Sequence, residues 1–371
     1  MRRTVVILLA ILAGVLLPAR LLRGGAHDWV DPRAQTGPRL ARAVDDKLRA
    51  DLEMADFGTG SAHFDGEWWL ASYAFALVGY ANVADQHPEL RDELAEAARH
   101  AAAQLVRPEV RAFDTRLWGD DMMACLDQDT HDHAVLGYVA MGLGAARRLD
   151  PDLPQADLHD RIVAALTRRV AGRERGLLAT YPRQAFPVDV AVGYGAIAEH
   201  AALHGRAVPP ALTRRITAWE RDFVTEDDLL VQMVRPSDGR ALDAPRGSGT
   251  ALAAWALAPA DPRVAARLAG GARDTLGDTF LGLGVIREYR EGGGMGDVDS
   301  GPLVFGYSIS GTGFALGAAR RVGDRRWFAR LWSTTRLFGV PWGDAGFLTG
   351  GTLGNALMLA FLTTPEPEEL L

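Results

Sequence analysis

The chain has 371 residues, 48% hydrophobic and 23% charged, which is globular composition with ample apolar material for a core. Its net charge of −7 and pI near 5.7 argue against nucleic acid or an anionic membrane surface as a partner. Lys47 is the only lysine and Cys125 the only cysteine, so Schiff-base chemistry is confined to one position and an intrachain disulfide is excluded.

Residues 1–17 open with two arginines and are apolar from Val5 to Leu17. That run is short for a membrane span and matches the core of a signal peptide. Gly24-Gly25-Ala26 offers a small-residue cleavage site; an uncleaved tether through residues 4–17 is the alternative. Residues 1–26 are therefore read as signal peptide or membrane anchor, and the body as exported, either periplasmic or held at the inner membrane. Residues 27–37 read as a linker, 38–364 as one folded domain and 365–371 as a frayed tail.

Six small-residue apolar helices are expected at 67–85, 131–149, 189–204, 248–259, 301–321 and 351–362, with starts 50 to 64 residues apart. More charged, amphipathic helices are expected at 38–55, 89–106, 157–171, 210–224, 261–278 and 323–338. Pro88 and Pro108 bracket the second of these as start and stop signals, and Pro210 and Pro262 open two others. A repeat of this length denotes a unit that stacks on its neighbours. The expected fold is all-α, an (α/α)6 toroid of about twelve helices with the apolar set inside. Leu230–Val234 and Gly284–Glu288 read as short loop strands. Each inner helix would then start at one end of the ring, where six loops meet over a funnel.

The loops carry the chemistry. The first, His63 to Trp69, sets Asp65 and Glu67 beside Trp68. Asp65 also suits a helix cap, and Trp68 a stacking platform. The second holds Trp118, Asp120, Asp121 and Cys125, then Asp129, His131 and His133. On a helix the two histidines diverge by about 200°, so they meet at one ion only if the segment is extended. No metal is expected; one histidine acting as a base is preferred. Cys125 reads as a nucleophile or, more commonly, a buried small hydrophobe. The third loop offers Tyr181, Arg183 and, at a helix start, Asp189. The fourth offers Arg246 in a Gly-rich approach without phosphate-loop spacing. The fifth offers Asp297 and Asp299 after Gly292–Gly294, and the sixth Trp342 and Asp344. Paired acids over one cavity would separate their pKa values, as acid–base work needs.

The order and spacing of Val110–Asp121, Gly137–Leu149, Thr180–Val190, Trp219–Trp255, Asp297–Gly301 and Gly350–Phe361 resemble the linalool dehydratase/isomerase family. The resemblance spans about residues 66–362. It implies an α/α barrel and cofactor-free chemistry on a tertiary terpene alcohol. The family's active-site histidine falls on Tyr138, its two pocket cysteines on Thr180 and Asp189, and its pocket tyrosine near Thr250. These replacements imply a more polar, more acidic pocket and a substrate other than linalool.

The leading expectation is a cofactor-independent lyase or isomerase acting on a small molecule. Asp299 and Asp189 would be its acid–base carboxylates, with His133 or Tyr138 assisting. Asp65, Trp68, Asp121, Tyr181, Arg183, Arg246, Asp297 and Trp342 would hold the substrate. One alternative is a carbohydrate-active enzyme, a hydrolase or uronyl epimerase, using the same acids. Another is a non-catalytic envelope binding protein. Oligomeric state is left open.

Overall fold

A computed structural model of the chain describes residues 21–50, 52–129, 131–291, 295–298, 300–343 and 346–367. In chain order the α-helices are α1 (Thr36–Leu48), α2 (Ala62–Gln86), α3 (Arg91–Leu105), α4 (Pro108–Trp118), α5 (Leu136–Leu149), α6 (Ala156–Gly172) and α7 (Pro187–Leu203). They continue as α8 (Pro210–Phe223), α9 (Gly247–Leu257), α10 (Pro262–Gly271), α11 (Ile309–Arg321), α12 (Arg325–Gly339) and α13 (Gly351–Leu362).

Helices α2, α5, α7, α9, α11 and α13 form an inner ring. Each packs on the next, and α13 packs on α2 to close the circle. They are apolar nearly all round, because they are covered on both sides. Helices α1, α3, α6, α8, α10 and α12 pack outside them and are amphipathic, with one apolar stripe inward. Small residues permit the inner ring's tight spacing. A Cβ added at Gly137 of α5 would lie 2.8 Å from the backbone nitrogen of Gly193 in α7. Local signals set several helix starts: Asp261, Ser308 and Asp324 cap α10, α11 and α12 by accepting from the amides of Val264, Gly311 and Trp327.

The chain departs from expectation in a few segments. Pro108, expected as a stop, instead opens α4 at its first position, where a missing amide costs nothing. Residues 131–135 are not part of α5, which starts at Leu136. Residues 301–308 likewise precede α11, because Tyr307–Ser308 pair as an edge strand. That strand, β3, follows β1 (Gly277–Phe280) and β2 (Leu283–Arg287) in an antiparallel sheet of order β1-β2-β3. Leu281 and Gly282 link β1 to β2, both at positive φ, as a two-residue hairpin turn requires. Leu230–Val234 makes isolated bridges only.

The segment read as linker is packed down. Trp29 is buried edge-on against Trp332 at 5.5 Å, and Arg320 donates to the Trp29 carbonyl at 2.9 Å. The tail is held as far as it is described: Glu366 is buried and accepts from Arg325 at 2.8 Å. Among the described residues no helix is long and apolar enough to cross a membrane. The apolar run Val5–Leu17 lies outside the described residues.

Candidate functional site

The inner helices begin at one end of the ring, and there a cavity of about 920 Å³ opens. All six contribute to it, through residues such as Trp68, Tyr138, Asp189, Leu252, Phe314 and Leu357. The wall is mostly apolar. Phe57, Phe64, Phe75, Phe186, Val188, Leu283 and Met358 line it, and Phe305 and Phe338 stand on it 80% and 57% exposed.

Two clusters of the polar groups on this surface are organised. Asp189, in the first turn of α7, is buried and keeps its carboxylate near the positive end of that helix. Its Oδ2 accepts from the Thr180 hydroxyl at 2.6 Å, and its Oδ1 accepts from the Tyr138 hydroxyl at 2.9 Å. The Thr180 hydroxyl itself accepts from the Phe186 amide at 3.1 Å. Thr180 thus has its donor direction fixed by the backbone, and the carboxylate is held by two donors at once. Thr180 is further pinned through its carbonyl, which accepts from the Trp118 indole at 3.3 Å.

A second polar group shares the cavity. Glu67, near the start of α2, accepts from the Tyr181 hydroxyl at 3.1 Å. His63 lies against both: its Nε2 is 3.7 Å from Glu67, and its ring meets Tyr181 edge-on at 4.9 Å. Burial lowers the His63 pKa, and the nearby Arg116 charge adds to that. Gln184, Gln232 and Ser248 add to the polar lining, as do Asp56, Asp297, Tyr307 and several serines and threonines. Of the carboxylates on this wall, Glu67 and Asp189 each pair with a phenol and face one largely apolar space. Such an arrangement can hold a hydroxyl-bearing ligand, donate a proton at one point and accept one at another.

Of the residues singled out in the sequence, Asp189, Tyr138, Tyr181, Trp68 and Asp297 meet on this wall. Asp299 and Asp344, with Gly292–Gly294, lie outside the described residues. His133 does not reach the cavity; it is fully buried and bonded to Asp114 at 2.7 Å. Asp65 is spent locally, accepting from the Thr59 amide at 2.7 Å. Asp121 is paired with Arg111 and accepts from the Met123 amide at 2.8 Å. Arg183 is exposed, and Trp342 is 65% exposed off the wall.

Arg246 is likewise no free anchor. It is clamped between Asp243 and Asp297 and lies over the Tyr289 ring at 5.2 Å. Burial alone would lower its pKa, but these two acids hold it above the ordinary value. Asp297 is correspondingly lowered: the Ser300 amide and Arg246 outweigh the opposing effect of burial. Cys125 is buried and its thiol is pushed up by that burial, the reverse of an activated nucleophile.

Glu67, read with Asp65 as a possible acid–base pair, and Thr180 join the site although neither was among its expected residues. Glu67 stood in plain view beside Trp68, but its helical register was needed to aim it. Thr180 was marked only by its alignment with a pocket cysteine.

No protein-family model matches the chain, and no curated protein matches it. Solved structures do. The unsaturated glucuronyl hydrolase of Bacillus sp. GL1, responsible for the degradation of glycosaminoglycan, is similar at 14% identity, over 90% of this chain and 96% of that one, with a TM-score of 0.51. An α-mannanase of glycoside hydrolase family 76 from Bacteroides thetaiotaomicron is similar at 11% identity, over 79% and 84%, with a TM-score of 0.47. The likeness to the glucuronyl hydrolase is one of fold, over nearly the whole length of both chains. The chain is an α/α toroid.

Proposed function

We propose that this protein is an acid–base enzyme acting on a hydroxyl-bearing small molecule, with Asp189 as proton acceptor and Tyr138 as its partner donor. One observation carries the reading: a buried carboxylate, held by Thr180 and Tyr138, on the wall of a large cavity at the mouth of the ring. Glu67 with Tyr181 supplies the second acid–base position. The protein's own side chains suffice for such a reaction. The Arg-led apolar run near the N-terminus supports an exported location.

Two substrate classes have separate support. The apolar wall and rim favour a largely hydrocarbon alcohol, as in the linalool dehydratase/isomerase family. Of the positions aligned with that family's functional groups, Tyr138 and Thr180 both donate to Asp189, whereas Thr250 is buried off the cavity wall. In that reaction the carbinol C–O bond breaks as its oxygen is protonated. A neighbouring C–H bond gives its proton to a carboxylate, a C=C bond forms and water leaves. The alternative is a carbohydrate-active enzyme. The fold likeness to the unsaturated glucuronyl hydrolase weighs for it, and it would use Glu67 and Asp189 as its acids with Trp68 for stacking.

Thermal-shift titrations with terpene alcohols, uronates and neutral oligosaccharides separate the two. A ligand at a hundred times its Kd adds about 2.7 kcal/mol of stability. A shift with alcohols alone selects the first class, and a shift with sugars alone the second. On the selected substrate, Asp189→Asn is expected to cost about 10²–10⁴-fold in kcat. Full activity in both Asp189→Asn and Tyr138→Phe would overturn the assignment.

A further inference from the structure

Between α4 and α5 the described residues 119–129 and 131–135 are irregular, yet closely packed: Met122, Cys125, Leu126, Asp132 and His133 are all buried. Connections this long without secondary structure are most often functional. Arginines on α6 and just beyond it pin this one. Arg169 donates to the carbonyls of Cys125 at 2.5 Å and Asp132 at 3.0 Å, and Arg173 pairs with the Asp132 carboxylate at 2.5 Å.

Within that frame one ligand atom each from Cys125, His131 and His133 lies within 4.8 Å of the others. The helical objection to an HxH pair does not apply, because residues 131–133 are not helical. His133 takes a left-handed φ of 44°, a costly conformation for a residue other than glycine. The His133 Nδ1 is engaged by the Asp114 carboxylate at 2.7 Å, and its Nε2 is buried with no hydrogen-bond partner. The His131 Nδ1 is also buried without a hydrogen bond and lies 3.3 Å from Asp120 Oδ2. A carboxylate orienting one imidazole nitrogen while the other is left bare is the outer-shell arrangement of metal-bound histidine.

We propose that Cys125, His131 and His133 bind a divalent transition-metal ion of zinc's class. One thiolate and two imidazoles supply three corners of a tetrahedral site, and water can take the fourth. The Cys125 thiol gives up its proton to solvent as the S–metal bond forms. None of these residues lines the cavity, so the ion's work is structural. The Trp118 ring lies 5.2 Å and 4.9 Å from the two imidazoles, and its indole N–H holds the Thr180 carbonyl. The ion would thereby fix the strut behind Thr180 and Asp189. The other histidine cluster, His159, Asp160 and His200, is a weaker candidate. It has no sulfur ligand, and Asp160 is already taken by Arg147.

The test is a metal titration of the full chain after chelator treatment, under reducing conditions. Zinc is expected to bind stoichiometrically. Cobalt(II) in its place is expected to show intense tetrahedral visible bands and a thiolate-to-cobalt charge-transfer band. Cys125→Ser should abolish the charge-transfer band, and His131→Ala, at a partly exposed position, should weaken binding by at least about tenfold. His200→Gln should change neither, and circular dichroism of each variant checks that the fold persists. Three results would overturn the proposal: no metal uptake, an octahedral cobalt spectrum without the thiolate band, or binding lost in His200→Gln but kept in Cys125→Ser.

Discussion

Asp189 shows how much a single residue can say in advance and how much it cannot. Its place at a helix start, after Pro187, was readable, and so was the bland role of a cap. Only the fold brings Tyr138 from α5 and Thr180 from the preceding loop to its two oxygens. His133 shows the opposite case. Its residue type promised a base, but its burial and its Asp114 partner remove it from the cavity. His159 of α6 carries a prediction at this scale. Burial, with His200 and Arg147 adding to it, pushes its imidazole down to about 3 from the ordinary 6.5. Between those values the unfolded chain binds a proton that the native state refuses. Stability is therefore full above about pH 6.5 and falls as pH drops towards 3, by about 1.4 kcal/mol per unit at most. Burial lowers His200 as well, so it acts in the same direction. The melting temperature of His159→Leu should depend less steeply on pH than that of the parent over this range. Equal slopes would show that His159 does not control the acid limb.

Among the elements, the alternation of apolar and amphipathic helices was legible because a helix covered on both sides needs no polar face. Their ends were less legible. The expected start of α5 lies five residues early: Ala134 and Val135 extend its apolar run, but Asp132 and His133 are held outside the helix by Arg173, the Ala179 amide and Asp114. The start of α11 was placed early because Gly301 to Ser308 are used for a strand edge that exists only once β2 is beside it. The packing of α5 on α7 yields a second prediction. Gly137→Val puts its Cβ within 3.0 Å of the Gly193 backbone, which has no flexible end to yield. Overpacking of this kind costs about 1–3 kcal/mol. Urea denaturation should show that loss, and Tyr138, the next residue, should lose its alignment with Asp189. Unchanged stability would mean that the two helices can separate freely.

For the molecule as a whole, closure of the ring is what makes one cooperative body of six repeats. Leu359 of α13 is fully buried and fills the space over Gly79 of α2 at the closing contact. Leu359→Ala is expected to cost about 2–5 kcal/mol, since a fully buried side chain packed over Gly79 is truncated. Near- and far-ultraviolet circular dichroism should still report one coincident transition. A separate early transition in the variant would show that the α13–α2 seam opens independently. The N-terminal segment around Trp29 and the tail around Glu366 are tied to α11 and α12, which extends the folded body beyond the repeats themselves.

The sequence by itself determined the class of fold, because hydrophobic periodicity, proline positions and repeat length are local properties that survive without coordinates. It also implied that the loops before the inner helices share one end of the ring, but not that their acids converge. It did not determine which acids meet there. Asp65, Asp121, Asp189 and Asp297 look alike as helix-start carboxylates. Their partners, Thr59, Arg111, Thr180 with Tyr138, and Arg246, were decided by tertiary packing. The same packing gathered Cys125, His131 and His133, because only a non-helical turn at His133 can bring alternate residues of one strand of chain to a common point.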